Sequence, residues 1–351
     1  MKKLRIAQIA PLWFTIPPKK YGGIERIIAW LCDGLIEHGH EVTLFAAPGS
    51  KTRAKLVSVY PKPLIAEGIQ WQNPLWNLRN LSAVYGKSHQ FDIIHSHLDL
   101  WTLFFQELTA TPTVHTFHNQ LYREARGLDD RLSLFRVYRH STNAVFISKS
   151  ERAIAKVHFP KSWVIYNGND LAHLYFSSRP KDYFAWIARI NKHKGIENAI
   201  AACERAGEKL LLAGRLDPTQ RDYFRKAIKP HLSRKIQYIG EIPEHELSAF
   251  YGGARALLYP IEWNEPFGLV MTEAMACGTP IIGYPRGSVP ELVLQGKTGF
   301  LVKNIPGIVA AMTRINEIDR NMCRRWVERM FSKERMVEAY ERLYYKILRR
   351  K

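Results

Sequence analysis

Short runs of aliphatic and β-branched residues alternate with longer amphipathic segments along the chain. This alternation is typical of parallel sheets covered by helices, because each strand returns to the same sheet through a crossover helix. The first series predicts strands at LRIAQIA, EVTLFA, DIIHSH, TPTVHTFH, NAVFIS and WVIYN. Between the first two, GIERIIAWLCDGLIEHGH predicts a helix with Ile27, Ile28, Leu31 and Leu35 on one face.

The strand pattern begins again after residues 167–180, a stretch without periodicity that is rich in Asn, Gly, Asp, Ser and Pro. We place a domain junction there. The second series predicts strands at YFAWIA, KLLLAG, KIQYIG, ARALLYP, TPIIG and GFLV. The fold class is therefore α/β, with Rossmann-like domains at 1–168 and 169–325 and a basic C-terminal helix at 326–351.

Composition narrows the class of protein. The chain has 351 residues, 46% of them hydrophobic, which is enough to bury two cores. It holds no run of about 18 apolar residues, and its start reads as a strand rather than a cleaved signal, so we expect a cytoplasmic protein. The cysteines match neither a zinc spacing nor a disulfide framework, and we expect reduced thiols at Cys32, Cys203, Cys277 and Cys323.

The net charge of +19 favours anionic partners such as nucleotides, acidic lipids or nucleic acid. Residues 324–351 hold ten Lys or Arg against four acids, which suggests peripheral contact with an anionic membrane. A generally basic proteome explains the same excess. The chain shows no zinc finger, RNA-binding signature or basic-aromatic array, so we expect no nucleic acid partner.

Two motifs come after predicted strands, at the edge where ligands of parallel sheets bind, although a loop separates YGGIER from the first strand. In YGGIER, Gly22 and Gly23 begin a helix, so backbone N–H groups can approach a phosphate; simple turn chemistry is the alternative. In ARINKHKG, Arg189 and Lys194 precede a helix and suit a diphosphate; a solvated basic loop is the alternative.

The stretch NEPFGLVMTEAMACGTPII combines a helix with two carboxylates. The helix is predicted to begin near Gly268 or Leu269, so the N–H groups of Phe267, Gly268 and Leu269 are donors for phosphate or sugar oxygens. Glu265 precedes this helix and Glu273 lies in its first turns, about 12 Å apart if all the steps were helical. That separation suits two hydroxyl-bearing rings joined by a phosphate bridge, as in a nucleotide sugar. Alternatively, Glu265 caps the helix and Glu273 lies on the surface.

The chain resembles the retaining glycosyltransferases of family 4 over nearly its whole length. The resemblance rests on six motifs, which follow one another along the chain in the order found in that family: YGGIER, DIIHSH, TFHN, YNGND, RINKHKG and EPFGLVMTE. The resemblance implies the B-type glycosyltransferase fold (GT-B), in which two Rossmann-like domains face across a cleft and the C-terminal helices return to the N-terminal domain. It also implies transfer of a hexose-type sugar from a nucleoside diphosphate sugar, with UDP favoured and GDP next. The acceptor would be a hydroxyl of a glycan, lipid-linked or small-molecule compound, and the anomeric configuration would be retained.

The resemblance assigns roles to positions of the donor site. It places Arg189 and Lys194 on the donor diphosphate, Glu273 on the ribose hydroxyls and Glu265 on the transferred sugar. Phe267, Gly268 and Leu269 would add backbone donors, and Gly22 and Gly23 would complete the phosphate site. The base would lie against Ile239, Gly240 and Ile242.

His118 in TFHN matches a family histidine near the reacting carbon, whereas His95, His97 and His115 match no such position. The catalytic candidates are therefore His118, Glu265, Arg189 and Lys194. No Asp-x-Asp motif follows a predicted strand, where it could hold magnesium for the donor, and the acidic pair Asp129–Asp130 does not follow a strand either. We therefore expect neither a metal nor another cofactor.

The acceptor side is less defined. The loop PLWFTIPPKKYGG offers Trp13, Phe14, Lys19 and Lys20, and residues 69–85 add Trp71 and Trp76. These side chains suit a sugar or a phosphate, or they pack loops together. Two other functions fit the same pattern: a sugar-nucleotide epimerase of the same fold, or a non-catalytic nucleotide- or nucleic-acid-binding protein. A phosphorylase is disfavoured because no pyridoxal-bearing lysine motif is evident.

Overall fold

A computed structural model describes residues 2–18, 22–70, 73–121 and 131–349 of the chain. The chain divides into two compact units. The first unit comprises Met1–Gly168 and Lys333–Lys351, and the second unit comprises Asn169–Ser332. Each is built on a parallel β-sheet, in agreement with the predicted α/β class.

The first unit contains a seven-stranded parallel sheet with the order β3-β2-β1-β4-β5-β6-β7. Its strands are β1 (Arg5–Ile9), β2 (Glu41–Phe45), β3 (Lys55–Val57), β4 (Ile93–Ser96), β5 (Thr113–Phe117), β6 (Asn143–Phe146) and β7 (Ser162–Val164). Its helices before the junction are α1 (Gly23–Glu37), α2 (Leu75–Tyr85), α3 (Arg131–Tyr138) and α4 (Lys149–Ile154). The strand order reverses between β1 and β4, which creates a crevice at their carboxyl ends.

The second unit contains a six-stranded parallel sheet with the order β10-β9-β8-β11-β12-β13. Its strands are β8 (Phe184–Ile187), β9 (Leu210–Ala213), β10 (Ile236–Gly240), β11 (Leu257–Tyr259), β12 (Ile281–Gly283) and β13 (Gly299–Leu301). Its helices are α5 (Ile196–Ala206), α6 (Arg221–Tyr223), α7 (Glu244–Gly253), α8 (Leu269–Ala276), α9 (Val289–Leu292), α10 (Ile305–Thr313) and α11 (Arg320–Met330). The order reverses between β8 and β11.

The sheets are buried because helices cover them. In β1, for example, Ile6, Ala7 and Ile9 are all fully buried, which explains the continuous apolar run at this strand. The four cysteines are free and buried. Among the described residues, no helix combines the length and the apolar character that a bilayer span requires.

The chain re-enters the first unit between Ser332 and Lys333, whereas the sequence pattern placed the last boundary at 325–326. The reason is that α11 belongs to the second unit. Its Trp326 indole donates to the carbonyl oxygen of Leu292 at 2.7 Å, and Arg320 donates to the carbonyl oxygens of Ser177 and Gly252. Only α12 (Lys333–Leu348) joins the first unit.

Helix α12 packs directly on α1. Gly34 of α1 makes this approach possible, because a Cβ there would lie 2.5 Å from Cγ2 of Val337. The Glu341 carboxylate of α12 also accepts hydrogen bonds from His38 and His40, at 2.9 and 3.0 Å. The predicted apolar face of α1 is confirmed, since Ile27, Ile28, Leu31 and Leu35 are buried.

The cations of residues 324–351 therefore do not share one helix. Arg324, Arg325 and Arg329 lie on α11, and the other described ones lie at or beyond Lys333 in the first unit. Several are already engaged: Arg324, for example, donates to the carbonyl oxygens of Leu174 and Ala276. The net charge of this stretch is thus not the charge of a single surface. Arg350 and Lys351 lie outside the described residues.

Candidate functional site

The carboxyl edge of the second unit's sheet carries several of the predicted donor-site residues. Arg189 and Lys194 follow β8, and Glu265 follows β11, the neighbouring strand at the reversal of strand order. Ile239 and Gly240 end β10 at the edge of the sheet. Parallel strands end at the same edge, so motifs separated by many residues in sequence belong to one rim of one sheet.

Lys194 and Glu265 form a largely buried ion pair at this rim. The ammonium nitrogen of Lys194 lies 2.8 Å from Oε2 of Glu265, and the two side chains are 19% and 9% exposed. The Tyr259 hydroxyl and the Trp263 indole N–H donate to the same oxygen, at 2.8 and 3.0 Å. The Lys194 nitrogen also lies 4.5 Å from the centroid of the Trp263 ring. Oε2 is thus fixed by three donors, while Oε1 accepts no hydrogen bond from the described part of the chain.

Close backbone packing holds Lys194 in place. Gly195 has φ of +69°, and a Cβ there would lie 1.8 Å from the carbonyl oxygen of Pro260. The Trp186 indole donates to the carbonyl oxygen of Lys194 at 3.1 Å, and the Glu262 N–H donates to that of His193 at 2.9 Å. The loop after β8 is therefore fastened to the end of β11, and a glycine is required at their point of contact.

The N-terminus of α8 lies next to this pair. Gly268 caps the helix with φ of +85°, and a Cβ there would lie 2.5 Å from Cε of Met271 and 3.2 Å from Cγ of Glu265. The N–H groups of Gly268 and Leu269 donate to no acceptor within the described ranges. The predicted start of α8 at Gly268 or Leu269 is confirmed. The positive end of the α8 helix dipole lies at this N-terminus and favours binding of an anion.

Glu273 is buried within α8, so the alternative that it is a surface residue is wrong. Its Oε2 accepts a hydrogen bond from the hydroxyl of Tyr251 on α7 at 2.7 Å. Only 4% of the residue remains exposed, and Tyr251 orients its carboxylate. A role in binding ribose remains a prediction.

The positions expected to hold the base are exposed. Ile239 is 45% exposed, and Gly240 has φ of +77° with no atom within 4 Å of where a Cβ would stand. The pairing of β10 with β9 shifts register between Tyr238 and Gly240, which turns the end of the edge strand. Ile242 is partly exposed, and Arg189 is exposed. These residues offer apolar surface, backbone and charge without a buried polar group to read a base.

The first unit carries its own candidates at the carboxyl end of β1. Gly22 is buried with φ of +149°, and a Cβ there would lie 2.8 Å from Pro18 and from Oε2 of Glu25. Gly23 is exposed and would meet nothing within 4 Å. The α1 N-terminus has no side-chain cap. Gly22 is thus required by packing, whereas Gly23 leaves the helix end open; Lys19 and Lys20 lie outside the described residues.

His118 follows β5 and is buried, with 7% of its surface exposed. Its Nε2 lies 2.9 Å from Nδ1 of His97, which follows β4. Burial lowers the pKa of His118 to about 4, so the imidazole is neutral at pH 7. His97, which the family motif did not single out, is therefore in direct contact with the predicted catalytic histidine.

The two predicted acceptor segments are close together. The Leu12 N–H of the first segment donates to Oδ1 of Asn77 in the second. The aromatic side chains pair locally: Trp13 with Phe14 at 4.7 Å, and Tyr60 with Trp76 at 4.3 Å between ring centroids. This pairing accounts for part of their surface as loop packing, while Trp71 lies outside the described residues.

Comparison with known families covers both units. Residues 21–173 match the profile described as Glycosyltransferase Family 4, and residues 176–332 match Glycosyl transferases group 1. The chain belongs to glycosyltransferase family 4. The order of the two matches agrees with the motif resemblance and with the two units of this family 4 chain.

Relatives of this family 4 chain differ in the share of its length that they match. Glycogen synthase of Mycobacterium tuberculosis is 33% identical over 165 residues, which is 43% of this chain and only 39% of that synthase. The O-antigen chain mannosyltransferase C of Escherichia coli is 22% identical over 98% of this chain and 100% of its own length.

Solved structures support the GT-B fold. Sucrose-phosphate synthase from Thermosynechococcus elongatus has a TM-score of 0.81 at 21% identity, over 99% of this chain and 100% of its own. HepE of Anabaena, solved in complex with UDP and glucose, has a TM-score of 0.78 at 17% identity, over 98% and 100%. At such identities the likeness shows the fold.

Several residues that complete the site of this family 4 chain were not predicted from its sequence. Tyr259 and Trp263 hold Glu265, Tyr251 holds Glu273, and His97 contacts His118. A weak signal existed for Trp263, because it lies two positions before Glu265 in the sequence. An indole can donate a hydrogen bond to a carboxylate and can also pack against an ammonium group. Tyr251 lies on a different helix from Glu273, so no local spacing connects them. Within the described residues, no group of three or more His, Cys, Asp or Glu could hold a metal ion.

Proposed function

We propose that this chain transfers a hexose-type sugar from a nucleoside diphosphate sugar to an acceptor hydroxyl, with retention at the anomeric carbon. The acceptor is a glycan, a lipid-linked or a small-molecule compound. The observation that carries the proposal is the Lys194–Glu265 pair beside the N-terminus of α8. It combines a cation, an oriented carboxylate and backbone donors at the carboxyl edge of a parallel sheet.

The cationic half of the site acts on the diphosphate. Breaking the bond between sugar and phosphate leaves negative charge on the leaving group, so groups that meet this charge stabilise the transition state more than the ground state. Lys194 supplies a cation fixed by Glu265 and Trp263, and Arg189 supplies a second, exposed one. The N–H groups of Gly268 and Leu269 add a helix N-terminus.

The carboxylate acts on the transferred sugar. Because Oε2 of Glu265 is taken by three donors, Oε1 is the acceptor that remains for a sugar hydroxyl. Glu273 binds the ribose hydroxyls, with its carboxylate oriented by the hydrogen bond from Tyr251. The two carboxylates then contact opposite ends of one donor.

UDP-sugars are the first choice of donor and GDP-sugars the second. HepE, whose fold is similar, was solved with UDP and glucose, which supports UDP. Ile239, Gly240 and Ile242 offer apolar and backbone contact, which accommodates a base without selecting it strongly. The transfer is proposed to need no metal ion.

A donor screen tests this proposal. The full chain is incubated with UDP-, GDP- and ADP-sugars, and release of nucleoside diphosphate is followed. Slow release from one donor class is expected, and Lys194→Ala should reduce it about tenfold to a hundredfold, since a charged hydrogen bond is lost. Lys192→Ala is the matched control, because this exposed lysine lies two positions away in the same turn.

The outcomes are distinct. Binding of no donor would overturn the proposal, and conversion to an epimerised sugar would favour an epimerase of the same fold. Equal loss in both lysine variants would overturn the specific role of Lys194. Once an acceptor is found, the anomeric configuration of the product by NMR tests retention.

Peripheral contact with an anionic membrane is a further part of the proposal. It rests on the formal charge of +19, although the cations near the C-terminus divide between two units. Flotation with vesicles containing anionic lipid should recover the chain at low salt and release it as salt rises. Failure to bind at low salt removes this part without affecting the donor site.

A further inference from the structure

A chain of buried hydrogen bonds connects His118 to the C-terminal helix within the first unit. His118 Nε2 lies 2.9 Å from His97 Nδ1, and His97 Nε2 lies 3.0 Å from Oε1 of Gln8. The Gln8 amide nitrogen lies 3.3 Å from the Tyr344 hydroxyl, which lies 2.7 Å from Nδ1 of His95. This series of hydrogen bonds therefore connects residues of β1, of the ends of β4 and β5, and of α12.

These groups lie in a closed interior. Gln8, His95 and Tyr344 are fully buried, and His97 is 3% exposed. A buried polar group that loses its partner keeps its desolvation cost, so each donor in such a chain faces an acceptor. The direction of one hydrogen bond therefore determines the next.

The directions follow from the amide of Gln8. Its N–H donates to the Tyr344 hydroxyl, so its Oε1 faces His97 and accepts a hydrogen bond from Nε2–H of His97. A neutral imidazole carries one N–H, so Nδ1 of His97 is an acceptor. Nε2 of His118 must then carry the proton that this hydrogen bond needs.

The imidazoles concerned are neutral at pH 7. Burial lowers the pKa of His97 well below its usual value, and neighbouring His95 and His118 lower it further. Burial also lowers the pKa of His118. The remaining nitrogen of His118, Nδ1, has no partner among the described residues, and it carries a lone pair.

We propose that His97, oriented by Gln8 and Tyr344, is a positioning residue that holds His118 in its Nε2–H tautomer and so presents Nδ1 as a hydrogen-bond acceptor. The inference rests on the proposed function for what Nδ1 meets, a hydroxyl of a sugar substrate. It also gives α12 a role at the site, because Tyr344 orients the amide that begins the sequence of donors. The return of the chain to the first unit then contributes to the chemistry as well as to packing.

The first test is spectroscopic and does not require activity. The full chain is labelled with ¹⁵N-histidine, and the His118 signals are assigned by their loss in His118→Gln. Spectra that separate protonated from unprotonated ring nitrogens should show Nε2–H and unprotonated Nδ1 in the parent. Tyr344→Phe removes one hydroxyl, frees the Gln8 amide to turn, and should give a mixture of both tautomers.

Substitutions of His97 sharpen the test. His97→Phe removes the acceptor and should also mix the tautomers of His118, whereas His97→Asn keeps an acceptor near the position of Nδ1 and should retain Nε2–H. His115→Phe is the matched control. His115 is a similarly buried histidine on β5. It forms a hydrogen bond with Gln106 and does not belong to the series of hydrogen bonds that includes His97 and His118. Melting temperatures of all variants confirm that each is folded.

The second test uses turnover. For the donor identified by the screen, His97→Phe should lower kcat about threefold to tenfold, the size of one hydrogen bond, with the nucleoside diphosphate Kd unchanged. His97→Asn should recover most of this loss, and His115→Phe should show none. An Nδ1–H tautomer in the parent, or an unchanged tautomer in both Tyr344→Phe and His97→Phe, overturns the inference. If no donor reacts, the proposed function fails. The tautomer measurement still tests whether His97 holds His118 in the Nε2–H form.

Discussion

The Lys194–Glu265 pair can be tested by its contribution to stability. Replacing Lys194 by Met leaves Glu265, whose side chain is 9% exposed, with only the neutral donors of Tyr259 and Trp263. Replacing Glu265 by Gln leaves the Lys194 ammonium 19% exposed without a counter-charge. The double variant removes both charges at once, so it should lose less stability than the sum of the single losses.

The expected coupling follows from the geometry. Opposite unit charges 2.8 Å apart attract by about 6 kcal/mol at an effective dielectric constant of about 20. Desolvation of the two groups offsets a large part of this attraction. We expect a net coupling of about 2 to 3 kcal/mol, in the range of a hydrogen bond between charged groups.

Calorimetric melting of the parent, both single variants and the double variant measures this coupling. The exposed pair Arg225–Asp222, with side chains 68% and 79% exposed, is the control, and its coupling should stay below about 0.5 kcal/mol. The Lys194–Glu265 coupling should also persist in high salt, because the pair is largely buried. A coupling equal to that of the control pair would refute the reasoning, and Lys194 would then be a solvated cation.

Three further predictions concern single positions. Burial raises the pKa of Glu25 to about 7 from an ordinary 4.5, so the folded state binds more protons between these values and stability falls as pH rises through them. Glu25→Gln should therefore stabilise the chain more at pH 8 than at pH 4, by up to about 3 kcal/mol, and equal melting shifts at both pH values would contradict this. Gly195→Ala places a methyl carbon 1.8 Å from a backbone carbonyl oxygen and should lower the free energy of unfolding by more than about 2 kcal/mol. Gly240 also has a left-handed backbone but lies in open space, so Gly240→Ala should lower it by about 1 kcal/mol. Equal melting shifts for the two variants would contradict this comparison. Tyr251→Phe removes the hydroxyl that orients Glu273. Calorimetric titration should show that the binding of nucleoside diphosphate and of intact donor both weaken about threefold to tenfold. An effect on the binding of only one of these ligands would argue against the ribose role.

The sequence alone determined the class of fold and the elements that carry the motifs. Strands buried on both faces need continuous apolar runs, and helices on a sheet need an apolar stripe, so both leave a signal within a short window. The predicted face of α1 and the start of α8 follow from such windows. The positions of Arg189, Lys194 and Glu265 after their strands were also visible, because a strand end is a local feature.

Only the tertiary structure decided which side chains complete one another. Tyr251 and Glu273 lie on different helices, and His97 and His118 follow different strands, so their contacts depend on the order of elements in the fold. The last domain boundary had the same origin. The sequence predicts one or two helices over residues 321–351, but it does not show that α11 buries its apolar face in the second unit and α12 buries its own in the first. A periodic pattern shows that a face will be buried, whereas its partner is chosen by packing among elements far apart in the chain.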